Sequence, residues 1–262
     1  MVNNHPERHD PNHTVTRRIE TDIDHFCKEL MQIIQPRADE NRLKLLQRES
    51  DSAGKAIDQF LKEQDGLNEP IIARLISQNI PAGSGLFLAG SLPIREMDMF
   101  ADTSGQAVGV AANRGVSGID GTIASAAGYA AGSGKPVTLL VGDLAFLHDL
   151  NSLQQLNKIV QPLTIVLINN RGGGIFSFLP IVNFKEVFES YFGTPHDLSF
   201  RSAAELFDLD YYLPAVATEF TESYRKALKS KKSSIIEVRT NRDENFLLQK
   251  RLQENILQIL EK

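Results

Sequence analysis

Only one cysteine, Cys27, stands among the 262 residues, so no intramolecular disulfide is available and the chain fits a reducing compartment. No run comes near the roughly eighteen consecutive apolar residues of a membrane-spanning helix, and the polar start Val2-Asn3-Asn4-His5-Pro6-Glu7-Arg8 is no secretory signal. Positive charge is not in excess either. A net charge of −5 argues against a nucleic-acid surface, where a basic stripe is expected, so any phosphate binding must be local. These absences lead to the expectation of a soluble, cytoplasmic protein with neither nucleic-acid nor membrane partners. Glycine is nearly missing from the first eighty residues and frequent after them. That shift divides the chain into a charged helical annex, 1–80, and a second domain, 81–262.

What is present begins with helical patterns over 21–34 and 39–62, the latter setting Leu43, Leu46, Ala53, Ile57, Phe60 and Leu61 towards one side. His5, His9 and His13 are four apart, which on a helix would invite a metal, but Pro6 and Pro11 break that helix and leave a polar leader. Cys27 lies among Phe26, Leu30 and Met31 with no histidine placed to activate it, and reads as a structural thiol. Gly132-Ser133-Gly134-Lys135 has the look of a phosphate loop. However, Pro136 stands where Ser or Thr would hold Mg²⁺, and the glycines lead from helix into strand, so the stretch reads as a helix C-cap.

The chemistry concentrates at strand ends. Runs 137–141 and 163–168 read as fully buried strands, and between them Leu147, Leu150, Leu153, Leu156 and Ile159 recur at helical spacing. Such a crossover joins parallel strands, so Asp143 and Asn170 share the carboxyl edge of one sheet, where open α/β sheets bind ligands. A carboxylate, an amide oxygen and a main-chain oxygen suit a hard cation such as Mg²⁺, with phosphate and water completing its shell. Gly142 lets the chain turn off the first strand, and Arg171-Gly172-Gly173-Gly174 allows close backbone approach after the second. Two further strands, 85–90 and 107–112, bring Ser91 and then Asn113-Arg114-Gly115 to the same edge. Gly115, Gly118 and Gly121 around Ser117 lead into a helix over 122–131, an anion cradle in outline. Arg114 on its short loop is suited to clamp a carboxylate, while Ile119 is an unusually apolar loop residue. Phe184 to His196 is aromatic and reads as a helical flap; His148 and His196 read as surface residues without a second ligand at metal spacing. Helices near 202–207, 219–228 and 243–260, with strands near 211–214 and 234–238, complete the alternation. The fold class is therefore α/β, a doubly wound parallel sheet preceded by the helical annex.

Gly142-Asp143 followed after one helix by Asn169-Asn170 resembles the thiamine-diphosphate signature, with Leu144 where a second glycine is usual. With the runs 112–121 and 169–176 added, residues 81–260 resemble the C-terminal domain of the 2-succinyl-5-enolpyruvyl-6-hydroxy-3-cyclohexene-1-carboxylate synthases of menaquinone and phylloquinone biosynthesis. The resemblance implies a thiamine-diphosphate-binding fold, with thiamine diphosphate and Mg²⁺ or Mn²⁺ as cofactors. It assigns the metal to Asp143, Asn170 and Gly172. The cofactor would meet Ser91, Ser117, Gly118, Ile119, Gly142, Asp143, Leu144, Ala145, Asn170, Gly172, Ile175 and Phe176, with Leu179 as further apolar wall and Ile119 bending it into a V. Arg95, four residues beyond Ser91, and Arg114 would hold carboxylates of the substrates, 2-oxoglutarate and isochorismate; the reaction decarboxylates the first and adds its remaining unit to the second. In that family the cofactor's pyrimidine ring is held by an N-terminal domain with an activating glutamate, so the resemblance implies a homo-oligomer or a separate pyrimidine-binding chain, in the cytoplasm or plastid stroma. Gly90 and Ala145 depart from the pattern, replacing an Asn and a Ser expected near the diphosphate; each charge-assisted hydrogen bond lost costs about 1.5–3 kcal/mol. Two alternatives stay open: another thiamine enzyme of the 2-oxo-acid decarboxylase or acetolactate synthase class, and a non-catalytic remnant.

Overall fold

The computed structural model describes residues 1–7, 10–35, 39–64, 66–113 and 118–261. The chain divides into two compact units between Asp51 and Ser52. In the first, β1 (Val2–Asn3) and β2 (Ile19–Glu20) form a two-stranded parallel pair, two residues each and without a readable signal in the sequence. Helix α1 (Ile23–Ile33) starts where the Asp22 side chain accepts from the His25 amide, and none of its residues is buried. Helix α2 (Glu40–Lys62) begins in this unit and ends in the second.

The second unit opens with α3 (Glu69–Asn79), capped by Asn68, whose Oδ1 accepts from the Ile71 amide at 2.9 Å, and with Pro70 in the first turn, where its missing N–H costs nothing. Next come β3 (Gly85–Leu88), α4 (Leu92–Phe100), β4 (Gly109–Ala112), α5 (Thr122–Ser133), β5 (Val137–Gly142), α6 (Asp143–His148) and β6 (Leu163–Asn169). After these stand α7 (Lys185–Phe188), α8 (Arg201–Leu206), β7 (Asp210–Tyr212), α9 (Ala217–Lys229), β8 (Ser234–Arg239) and α10 (Arg242–Leu260). Among the described residues six strands make one parallel sheet in the order β4-β3-β5-β6-β8-β7. Residues alternate across it with period two. Leu163, Ile165 and Leu167 of β6 enter one core with Phe146, Leu153 and Phe200, while Val166 and Ile168 enter the other with Ile72, Ile76, Phe220 and Tyr224. Burial on both faces explains why these strands read as unbroken apolar runs. Helix α3 belongs to the second core through Ile72, Ala73 and Ile76. No described helix is long and apolar enough to cross a membrane.

Two local expectations change and one holds. The helical spacing of Leu147 to Ile159 is not one α-helix: α6 stops at His148 and a 3-10 helix, Leu150–Asn157, follows. The break is Asp149, whose carboxylate accepts from the Ala124 amide at 2.9 Å and the Ser152 hydroxyl at 2.5 Å, turning the chain to cap α5. The aromatic segment after Phe184 is the short α7 followed by a π-helical turn, Glu189–Gly193, because Thr194, in the left-handed region with φ +40°, closes a bond to the Glu189 carbonyl. Finally, Gly134, in the left-handed conformation, is the C-cap of α5 and donates to the Ala130 carbonyl, which accounts for the glycines before Pro136.

Candidate functional site

Strand order reverses at β3 and β5: from β3 the chain goes to β4 on one side, and from β5 to β6 on the other. In an open parallel sheet that reversal leaves a crevice beyond the carboxyl ends of the two strands. A cavity of about 390 Å³ lies there. Its lining includes Ser91, Arg95, Gly118, Ile119, Gly142, Asp143, Leu144, Ala145, Asn170, Gly172, Ile175 and Phe176, each expected there from the sequence. Arg114 and Ser117 lie outside the described residues. Leu179, expected as apolar wall, does not line the cavity and is exposed.

Ser91 follows β3 with φ +69° and ψ −134°, a backbone rarely adopted by a residue with a side chain. Its hydroxyl caps nothing, so it is free for a ligand, while its carbonyl accepts from Nη1 of the exposed Arg95 at 2.5 Å. Ile119 is half-buried against the first core, which explains an apolar residue in a loop.

Asp143 is buried at the start of α6. Its Oδ1 accepts from the adjacent Leu144 amide at 2.7 Å, and its Oδ2 accepts from the Gly172 amide at 3.0 Å, a bond that ties the ends of β5 and β6 together. Burial pushes its pKa above the usual carboxylate value, opposed by the Gly172 bond and by His196. His196 Nδ1 accepts from the Leu198 amide at 3.2 Å, and its Nε2 faces Asp143 Oδ2 at 3.2 Å but off the line of a hydrogen bond. His196 is therefore not a surface residue. Its proximity to Asp143 had no local signal, because more than fifty residues of chain separate them.

Past β6 the backbone is contorted. Arg171 has φ +61° and Gly172 φ +146°. Side chains at 172 and 173 would strike the carbonyls of Gly193 and Phe192, and the Gly173 amide donates to the Gly193 carbonyl at 2.7 Å, so the glycines pin the π-helical turn onto the cavity rim. The two asparagines before them part company. Asn169 Nδ2 donates to Glu237 Oε1 at 2.9 Å and to the Leu198 carbonyl at 3.1 Å. Asn170 Nδ2 donates to Glu69 Oε1 at 2.9 Å, and its Oδ1, buried at the cavity, accepts from none of the described residues. Glu69 also lines the cavity and was not singled out from the sequence, where it looked like an ordinary acidic first turn of a helix. Burial pushes its pKa up to about 7, against the bonds from Asn170 and Thr240, with the charge of Asp143 adding to the rise.

Residues 101–238, just over half of the chain, match the family profile described as thiamine pyrophosphate enzyme, C-terminal TPP binding domain. A 2-succinyl-5-enolpyruvyl-6-hydroxy-3-cyclohexene-1-carboxylate synthase of Rubrobacter xylanophilus is 48% identical over 96% of this chain and 44% of its own length. A protein of the same name from Prosthecochloris aestuarii is 44% identical over 100% of this chain and 44% of its own length. The chain thus spans less than half the length of these curated relatives. Among solved structures, a thiamine diphosphate-dependent 4-hydroxybenzoylformate decarboxylase of Rhodococcus jostii aligns with a TM-score of 0.57 and 24% identity over 67% of this chain and 33% of that one. A benzoylformate decarboxylase of Polynucleobacter necessarius aligns with a TM-score of 0.54 and 19% identity, over the same shares. These two carry the fold alone. With the cavity at the switch point and the profile spanning β4 to β8, this chain belongs to the family of C-terminal, thiamine pyrophosphate-binding domains of thiamine pyrophosphate enzymes.

Proposed function

We propose that this chain is the diphosphate- and metal-binding part of a thiamine-diphosphate- and Mg²⁺-dependent transferase of menaquinone or phylloquinone biosynthesis. The reaction is that of the synthase for which its relatives are named, joining the decarboxylated 2-oxoglutarate unit to isochorismate. The observation that carries it is the pairing of two buried oxygens at one cavity, the Asp143 carboxylate and the unpartnered Asn170 Oδ1. An acceptor desolvated without a donor costs about 1–3 kcal/mol, a cost a cation removes. Among the described residues no three His, Cys, Asp or Glu side chains are grouped for a metal, so a cation here draws on amide and main-chain oxygen, as Mg²⁺ does beside phosphates. Asp143, Asn170 and a main-chain oxygen of Gly172 would hold it, with Mn²⁺ as a substitute. The diphosphate would lie along Ser91, Ser117, Gly118 and 142–145, and Ile119, Ile175 and Phe176 would keep water from the reacting ring.

When bound, the cofactor supplies a thiazolium carbon that accepts the electrons released by decarboxylation. The chain's own part is binding and orientation. Arg114 would take substrate carboxylates as a bidentate fork, and Arg95, now resting on the Ser91 carbonyl, can swing to do the same. The pyrimidine ring would be held by a second chain or copy, in the cytoplasm or plastid stroma. Gly90 and Ala145 line the cavity without side chains able to bond a diphosphate, and this supports a second reading, a binding module without turnover. Calorimetry and turnover assays separate the two. The lone chain is expected to bind thiamine diphosphate only with Mg²⁺ and to leave 2-oxoglutarate unconsumed until a separately expressed N-terminal domain of a relative is added. Turnover by the lone chain would sink the split-site account, and binding with inactivity in both assays would favour the module.

A further inference from the structure

An asparagine can turn either end of its amide toward a cavity, and only the oxygen end can hold a cation. Something must choose. The carboxylate of Glu69 gathers two donors on Oε1, the Asn170 Nδ2 at 2.9 Å and the Thr240 hydroxyl at 3.3 Å. With the amide reversed, two oxygens would face each other at hydrogen-bond distance in a buried site. The space is closed as well: a methyl at Gly174 would come within 2.5 Å of Asn170 Nδ2, so that glycine is needed for the amide to lie as it does. Glu69 is itself held firmly, since it sits in the first turn of α3, whose Ile72 and Ile76 are wholly buried in the second core.

We infer that Glu69 is a positioning residue for the metal site, fixing Asn170 with Oδ1 aimed into the cavity. This rests on Asn170 being a cation ligand, as proposed above. Glu69 acts through Asn170, 101 residues away in sequence, and need not touch the cation. Outer partners that orient a metal ligand typically change metal affinity by about 10–100-fold when removed.

The test uses this chain, Mg²⁺ with thiamine diphosphate as the probe, and the variants Glu69→Met and Glu69→Gln. Methionine keeps the volume but accepts no bond of comparable strength, whereas glutamine still offers Oε1 to the Asn170 amide. Glu69→Met should weaken Mg²⁺-dependent binding by about 10–100-fold, and Glu69→Gln by no more than about threefold. Melting temperature without cofactor should change little for Glu69→Met, because relief from burying an acid offsets the loss of an acceptor for Asn170 and Thr240. In ¹⁵N spectra of the cofactor-free protein, the Asn170 side-chain amide, identified by its absence in Asn170→Ala, should be protected from exchange in wild type and Glu69→Gln and unprotected in Glu69→Met. Wild-type affinity in Glu69→Met, or an Asn170 amide equally protected in all three, overturns the inference. So does a loss of affinity that tracks a fall in melting temperature in both variants. If the wild type binds no Mg²⁺ and thiamine diphosphate, it is the cofactor reading of the site that fails.

Discussion

Asn169 and Asn170 are neighbours of one residue type at the end of one strand, yet they enter networks of opposite character. Period-two alternation sends Asn169 to the face of the first core and Asn170 to that of the second. Asn169 joins a complete set around Glu237, which is fully buried and accepts from Asn169 Nδ2, Arg239 Nε at 3.2 Å, the Phe200 amide at 3.0 Å and the Tyr211 hydroxyl at 2.8 Å. Burial alone would push Glu237 up, but these bonds outweigh it and hold its pKa below the usual value. The other face is unfinished. Burial pushes Glu69 up to about 7, and burial with the charge of Glu69 pushes Glu96 up to about 8. Asn170 Oδ1, Glu96 Oε2 and Asn245 Oδ1 there are buried without a donor. A closed network holds the fold together, and an open one is available to a ligand.

The sharpest way to break this comparison is to open the closed side. Glu237→Leu would remove an acceptor from Asn169, the Phe200 amide and Tyr211, and should cost about 3–5 kcal/mol of stability, as loss of a buried charged partner does. Denaturant unfolding measures it, and a cost below about 1 kcal/mol would mean that the network is not what holds this end of the sheet.

The next effect is divided between the asparagines. Asn170→Ala, like Asp143→Ala, should reduce Mg²⁺-dependent affinity for thiamine diphosphate by at least about 100-fold, with the cofactor-free melting temperature little changed. Asn169→Ala should do the reverse, lowering stability by about 2 kcal/mol with affinity changed far less. Calorimetry and melting on the three variants together decide it, and parallel losses in both quantities would erase the distinction between the two faces.

A third effect is a tilt with pH. Glu96 is a carboxylic acid whose folded pKa, about 8, stands above its ordinary 4.5, so the folded state holds a proton that the unfolded chain releases between those values. Stability is then full below about pH 4.5 and falls as pH rises towards about 8. Glu96→Gln removes that titration and should flatten the curve. An unchanged slope in the variant would move the cause elsewhere.

How much of this could be read from the chain depends on sequence distance. Strands β5 and β6 were legible because burial on both faces leaves apolar runs between glycine, proline and polar ends. Asp143 and Asn170 were legible because a short crossover fixes both at one edge. Glu69, His196, Glu237 and Thr240 were not, since each reaches the site across a long stretch of chain and its own neighbours look ordinary. Asp149 was hidden for another reason: a helical hydrophobic spacing runs straight through it, and its bond to the Ala124 amide is what breaks the helix.

The strand order has a consequence for how the protein is made. β6 is seven residues long and buried throughout, and its partner β8 pairs Ser234 with Thr164, seventy positions earlier. Until β8 is synthesised and docked, one side of that apolar strand is an unpaired edge, the kind of surface on which partly folded chains associate. Loop closure adds only about 0.6 kcal/mol for each doubling of length, so the delay is kinetic more than energetic. Refolding yield should therefore fall steeply with protein concentration, and chains halted before residue 234 should aggregate even though the residues around Asp143 and Asn170 are already present.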